Sequence, residues 1–402
     1  MAGLRAIVVG GSQAGLLAAI ALRGIGCEVT VHERSSRPLQ DRGAGIRLHP
    51  SLLDLLATRT DVDLTDVSCA VTRQQYLGRA GEVVASEPSA MVFSSWNGLF
   101  GTLRGLVPDS SYRLGSRCTG WEDGEDAVTV MFEGGTEESA DLVVSADGVT
   151  SVGRELISPG AVPRYAGYVA WRGCLPESSL PPSSRALFTG AHSTALLDRS
   201  HMNLYLVPPP GEPPVVGRRL VNFIWYRNAE EETLSRWLTD SDGVTRSGSV
   251  PPGKVADRVR DELRDAAVEL LPPPVVEVVT LTEEPFLQVI YDAEVDRLAG
   301  SRACLVGDAG FLARPHLGAG TAKAAESAWA LADALVAADA DVEGGLRRWE
   351  SRELGFGHAI VADSARLGDR FQLAGDVVPG DPELRAAVES PLRELVTQPK
   401  EV

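Results

Sequence analysis

The sequence is poor in several residues and patterns that other function classes require. Only three of its 402 residues are lysines (Lys254, Lys323 and Lys400), and Lys+Arg 38 against Asp+Glu 55 leaves a net charge of −17. A field of that sign repels phosphate backbones and anionic lipid, which argues against nucleic-acid and membrane partners. No run approaches the ~18 consecutive apolar residues of a bilayer-spanning helix. Five cysteines, at 27, 69, 118, 174 and 304, are odd in number, widely spaced and contain no C-x-x-C. Neither a disulfide framework nor a metal site is therefore expected. The apolar stretch at residues 5–9 follows the N-terminus too closely for a signal peptide, so a cytoplasmic protein is expected. There are no internal repeats or low-complexity tracts.

What is present reads as an ordinary globular chain, 44% hydrophobic and 23% charged, long enough for two or three domains of about 150 residues. Residues 5–9 (RAIVV) are a short β-branched run bounded by glycine, as in a parallel strand covered on both faces. A helix over Ala14–Leu22 and a second strand over Glu28–His32 complete a βαβ unit. Around 70–100 and 165–280 the texture changes to alternating strands (CAVTRQQYL, HMNLYLV, LVNFIWY) separated by Pro/Gly clusters, which predicts an antiparallel sheet. Residues 140–147 and 302–308 revert to buried parallel-type strands. The expectation is an α/β fold with a discontinuous Rossmann-like nucleotide domain (1–70, 100–164 and 281–340). An antiparallel substrate domain (71–99 and 165–280) is inserted into it, and 341–402 is a helical segment whose tail beyond about 390 is polar and frayed.

Between the first strand and helix stands Gly10-Gly11-Ser12-Gln13-Ala14-Gly15, a G-x-G-x-x-G pattern with serine at the second glycine. Gly10 permits the tight turn, a small residue at 12 lets backbone approach a pyrophosphate, and Gly15 lets helix pack on strand. The helix N-terminus then faces the phosphates. Glu33 ends the second strand 18 residues after Gly15, where an acid meets ribose hydroxyls. The pattern alone does not separate NAD from FAD. Two later segments bear on that choice: Ser145-Ala146-Asp147-Gly148, running on to Arg154, and Gly307-Asp308-Ala309-Gly310, followed by Arg314-Pro315-His316-Leu317-Gly318-Ala319-Gly320.

In this order and spacing the three motifs resemble those of the single-component (class A) FAD-dependent aromatic hydroxylases, whose fold is that of para-hydroxybenzoate hydroxylase. Tyr165–Gly173, Asn222–Tyr226, Ala322-Lys323-Ala324 and Trp349-Glu350-Ser351-Arg352 look like the 2,6-dihydroxypyridine 3-monooxygenase branch of that family. The similarity covers nearly the whole chain and fades after about residue 375. Trp96, Phe311 and Ala322 stand where many members have arginine, histidine and asparagine, and those three roles are not carried over.

The resemblance implies non-covalent FAD, with NAD(P)H as a transient co-substrate. Oxygen would add at the flavin C4a, and the hydroperoxide would deliver an oxygen atom to a small electron-rich (hetero)aromatic such as a hydroxypyridine or phenol. Expected FAD contacts are Gly10, Ser12, Gln13, Ala14, Gly15, Glu33, Arg34, Gly45, Ile46, Arg47, Asp147, Gly148, Gly307, Asp308, Pro315, Gly318, Ala319 and Gly320. Asp147 and Arg154 are the candidates to meet NAD(P)H. Alternation along 221–226 puts Asn222, Ile224 and Tyr226 on one face, so Tyr205, Asn222, Ile224 and His192 are candidate substrate contacts with Pro315 and His316. His316, Pro315 and Tyr205 are the catalytic candidates, His316 more as a contact to flavin or substrate than as a base. Relatives often pair, so a homodimer is allowed. An oxygenase acting on a larger natural-product scaffold by epoxidation or Baeyer–Villiger insertion uses the same motifs, and a non-catalytic flavin-binding protein could keep them. A second strand–GxGxxG–helix unit is absent, which disfavours N-hydroxylating enzymes and disulfide reductases.

Overall fold

A computed structural model describes residues 3–39 and 44–397. Two sheets organise it. The first has five parallel strands in the order Ala303–Leu305, Leu142–Ser145, Arg5–Val9, Glu28–His32, Tyr112–Arg113. Its inner strands are almost wholly buried, which is why they read as unbroken apolar runs rather than alternating ones. Helix Gln13–Gly24 packs on it, and helix Gly320–Ala337 packs in turn on that helix, both through alanine-rich faces. Because the strands are parallel, their C-terminal ends lie along one edge, and the three motif loops gather there.

The second sheet has eight strands in the order Ser249–Val250, Phe286–Asp292, Arg164–Pro176, Leu220–Asn228, Ser200–Val207, Ala191–Leu197, Arg73–Leu77, Val83–Pro88. It is antiparallel except where Ala191–Leu197 runs parallel to Arg73–Leu77. Alternation divides its faces as expected. Val221, Phe223 and Trp225 enter a core with helices Asp257–Leu270 and Pro273–Leu281, while Ile224 and Tyr226 turn to the opposite side.

Three boundaries differ from the sequence reading. Phe286–Asp292 pairs with Arg164–Pro176 and so belongs to the eight-stranded sheet, although residues 281–340 were assigned to the nucleotide domain. Its alternating pattern carries no composition change that would mark the transition. Val92–Ser95, expected in the substrate sheet, instead pairs with Gly45–Leu48 and Ser68–Ala70 in a small sheet beneath the cavity described below. The segment beyond 390 is helical from Leu392 to Thr397, and Leu392 is fully buried with its N–H donating to Ser51 Oγ. Residues 398–402 lie outside the described residues. Among the described residues no helix is long and apolar enough to cross a membrane.

Candidate active site

At the first motif, Gly10 has φ +101°, and a Cβ there would lie 2.4 Å from the Ala146 carbonyl oxygen. Gly15 is tighter still, since its Cβ would sit 1.8 Å from the Gly10 carbonyl oxygen. No side chain caps helix Gln13–Gly24: Ser12 occupies the cap position without a hydrogen bond, leaving the first N–H groups open to an anion. The same holds for helix Gly320–Ala337, which starts after Ala319. Glu33 is buried and accepts from the N–H groups of Gly11 (2.9 Å) and Ser35 (2.8 Å), which fixes its carboxylate at the wall of the cleft. Gln13 is buried and accepts from Thr321 Oγ1 at 2.7 Å, tying the two uncapped helices together.

The second and third motifs are joined by Arg154. Its guanidinium, 3% exposed, donates to the carbonyls of Val149 (2.7 Å), Gly148 (3.3 Å), Ala309 (2.9 Å) and Asp308. These backbone bonds take four of its five N–H donors and argue against the expected contact with NAD(P)H, although Arg154 also lines the cleft past Asp147. Asp147 accepts from Ser145 Oγ and from the Val152 N–H, holding its turn. Lys323, 2% exposed, reaches Asp308 Oδ1 at 3.0 Å and the Gly307 and Phe311 carbonyls. Three clefts result, and Gln288 lines all three. One runs past Gly10, Ser12 and Glu33, one past Arg34, Asp147 and Asp308, and one past Asp308 and the 318–321 turn.

The last of these opens into a cavity of about 290 Å³ between Pro315–Thr321, the strand Gly45–Leu48 and the inner face of the eight-stranded sheet. Aromatic and imidazole rings form its walls. Tyr205 stacks on Phe93 at 3.9 Å and Phe93 on His192 at 5.4 Å; His201 stacks between Tyr226 (4.6 Å) and Phe371 (3.9 Å). His316 Nε2 lies 2.7 Å from the Tyr168 hydroxyl. Burial holds the imidazoles neutral: His316 and His192 are pushed down to about 3, with Arg314 and Arg47 respectively adding to the effect, and His201 falls well below its ordinary value. Burial likewise raises the Tyr205, Tyr226 and Tyr168 phenols, which stay protonated.

Residues 165–292 match the FAD-binding-domain-like family, and residues 5–54 match the pyridine nucleotide-disulphide oxidoreductase family. The chain is 35% identical over 380 residues to the 2,6-dihydroxypyridine 3-monooxygenase of Paenarthrobacter nicotinovorans, covering 94% of each. The chain belongs to the FAD-dependent aromatic monooxygenases. It is also 30% identical to the 3-amino-4-hydroxybenzoate 2-monooxygenase of Streptomyces cremeus, covering 92% of this chain and 88% of that one. The solved structure of 2,6-dihydroxypyridine-3-hydroxylase from Arthrobacter nicotinovorans superposes with a TM-score of 0.88 at 34% identity, over 94% of this chain and 95% of that one.

FAD is the cofactor of this monooxygenase, and the two uncapped helix starts, the side-chain-free turn at Gly10–Gly15 and the Glu33 carboxylate fit a dinucleotide along the motif edge. Of the residues expected at the substrate, Tyr205, Ile224, His192, Pro315 and His316 line the cavity. Asn222 does not, which corrects its expected role. It is fully buried, its Oδ1 accepts from the Gly45 N–H at 2.7 Å, and it clamps the strand that floors the cavity. Any side chain at Gly45 would collide with Tyr205 and Asn222. Trp96 stacks on Phe100 and Ala322 is buried in the core, so neither supplies the polar group that many relatives have there.

Several cavity residues escaped the sequence reading. Arg172, Gln74, Thr194 and Asn203 come from separate strands, and Phe371, Leu384 and Val388 come from the C-terminal segment. The i, i+4 spacing of Leu384 and Val388 was the available signal for the last two.

Proposed function

We propose that this monooxygenase hydroxylates a small electron-rich aromatic or heteroaromatic ring bearing a hydroxyl, a hydroxypyridine or a phenol, with NAD(P)H and O₂ as co-substrates. The observation that carries the reading is the cavity itself. It is about 290 Å³, walled by rings, and its imidazoles and phenols are held neutral. That volume sits at the low end of ligand pockets, roughly 300–1,000 Å³, and favours a single ring over a polycyclic scaffold.

Bound FAD takes reducing equivalents from NAD(P)H and activates dioxygen with them. The chain's tasks are to hold, orient and keep dry. The Ala319 N–H and the start of the 18-residue helix Gly320–Ala337 offer positive partial charge where a reduced ring gathers negative charge. Ile224, Phe93 and Met91 exclude water from the reacting ring.

His316 orients the substrate. With the Tyr168 O–H donating to His316 Nε2 at 2.7 Å, the imidazole proton stands on Nδ1. That nitrogen is buried with no partner among the described residues. With its basicity suppressed to about 3, His316 acts here as a hydrogen-bond donor to a substrate oxygen, and proton removal falls to other groups or solvent. NAD(P)H is an intracellular reductant, so this reading puts the enzyme in the cytoplasm.

The test is a screen of hydroxypyridines and phenols for stimulated NAD(P)H oxidation by the FAD-loaded protein, with products identified by mass. A product heavier by one oxygen atom supports the reading. Failure to take up FAD, or NAD(P)H oxidation that no aromatic accelerates, overturns it.

A further inference from the structure

The charges around the cavity are unequal in how they are balanced. Arg314 is neutralised by Asp292 (2.8 Å) and Asp369 (2.6 Å), and Asp308, the only acidic residue lining the cavity among the described residues, pairs with Lys323 at 3.0 Å. Two guanidinium groups have no carboxylate within 4 Å among the described residues: Arg172 and Arg47. Arg172 also lines the nucleotide cleft and donates to Gln288 and to the Gly45 carbonyl, which fits a cofactor role. Arg47 lines the aromatic cavity.

Arg47 is placed by the small sheet beneath the cavity. It pairs in register with Phe93, so the two side chains are neighbours on one face. Its stem lies against the flavin-side turn, where a Cβ on Gly318 would be 3.0 Å from Arg47 Cδ. One N–H, on Nη2, donates to the carbonyl of Val388 in the last turn of helix Pro382–Glu389. Nε is buried with no partner among the described residues. The surroundings add no counter-charge at ion-pair distance among the described residues. His49 and His192, the imidazoles on which its charge acts, are neutral, and Glu389 acts on it only from beyond ion-pair distance. A sheltered cation with spare donors and no anion is costly unless a ligand supplies the anion.

We propose that Arg47 is a specificity residue that binds an anionic oxygen on the substrate, a carboxylate substituent or an ionised ring hydroxyl, so that the enzyme selects negatively charged rings. The guanidinium stands between the flavin-side turn and the Phe93–His192 wall, so an oxygen bound there holds the ring across the cavity. The inference rests on the functional reading above and adds the substrate's charge to it.

The experiment uses the FAD-loaded protein and three probes at mildly alkaline pH: phenol, 4-hydroxybenzoate and 4-nitrophenol. Binding is read from perturbation of the flavin absorbance. Wild type should bind at least one anionic probe about 10- to 100-fold more tightly than phenol, the range of a charge-assisted hydrogen bond. Arg47→Gln should bring that ratio close to one, and Arg47→Lys should keep part of it. The ratio is the readout because loss of the Val388 contact alone would weaken all three probes together. Equal affinities in wild type, a preference that survives in Arg47→Gln, or a uniform loss across the probes overturns the proposal. If phenols perturb the flavin and stimulate NAD(P)H oxidation without a charge preference, this inference alone falls. If no aromatic does either, the functional reading falls with it.

Discussion

The parallel sheet and the eight-stranded sheet solve different problems with different materials. Along the edge of the parallel sheet the site is made of backbone: a glycine turn, two uncapped helix starts, and loops held by buried side chains such as Arg154 and Lys323 that face the protein rather than a ligand. On the inner face of the eight-stranded sheet the site is made of side chains, rings stacked from five or more separate segments. A backbone site tolerates almost no added volume, whereas a side-chain site can be retuned one residue at a time.

That contrast sets the order of expected effects. Gly15→Ala should be the most damaging change, because its Cβ would meet backbone at 1.8 Å and nothing flexible can yield. The protein should emerge without bound FAD or fail to fold, as seen in its visible absorbance. Arg154→Met should follow, at roughly 2–4 kcal/mol of stability, since four buried or part-buried carbonyls lose their donor. Denaturant midpoints measure this loss, and the KM for NAD(P)H should barely change in the folded fraction. A large, isolated rise in that KM would restore Arg154 to the co-substrate.

Acid should probe both regions together. His32 is lowered to about 4, His49, His192 and His316 to about 3, and His201 well below its ordinary value, all chiefly by burial, against 6.5 when exposed. The unfolded chain therefore binds more protons than the folded one between about pH 6.5 and 3. Stability is full above 6.5 and falls as pH drops through that window, by up to ~1.4 kcal/mol per pH unit for a fully buried imidazole such as His49. Thermal melts across that range should show the decline starting near 6.5, with a shallower slope in His201→Gln. The smallest effect belongs to Tyr168→Phe. Freed from its partner, His316 can move its proton to Nε2, and the substrate KM should rise about 3- to 10-fold with FAD affinity retained.

The same contrast explains what the sequence made legible. Gly10, Gly15, Glu33, Asp147 and Asp308 could be found because a nucleotide turn demands particular residue types at fixed spacing. The facing of Ile224 and Tyr226 followed from strand alternation. The bonds of Arg154 were not legible because an arginine after a strand-ending Asp-Gly looks alike whether it meets a phosphate or four carbonyls. Asn222 was misjudged because alternation gives a residue's face but not its depth, and Gly45 covers it. The contribution of Leu384 and Val388 lay hidden in the C-terminal helical segment, where i, i+4 spacing marks an apolar face but not what that face packs against.

The central claim is that one cavity of the eight-stranded sheet opens onto the flavin held at the motif edge. Titrating the FAD-loaded protein with a hydroxypyridine, with the flavin spectrum as readout, tests it most directly. The account predicts a saturable perturbation in wild type that disappears in Ile224→Trp, which fills the cavity, while FAD stays bound. A perturbation that persists undiminished in the filled variant would contradict it.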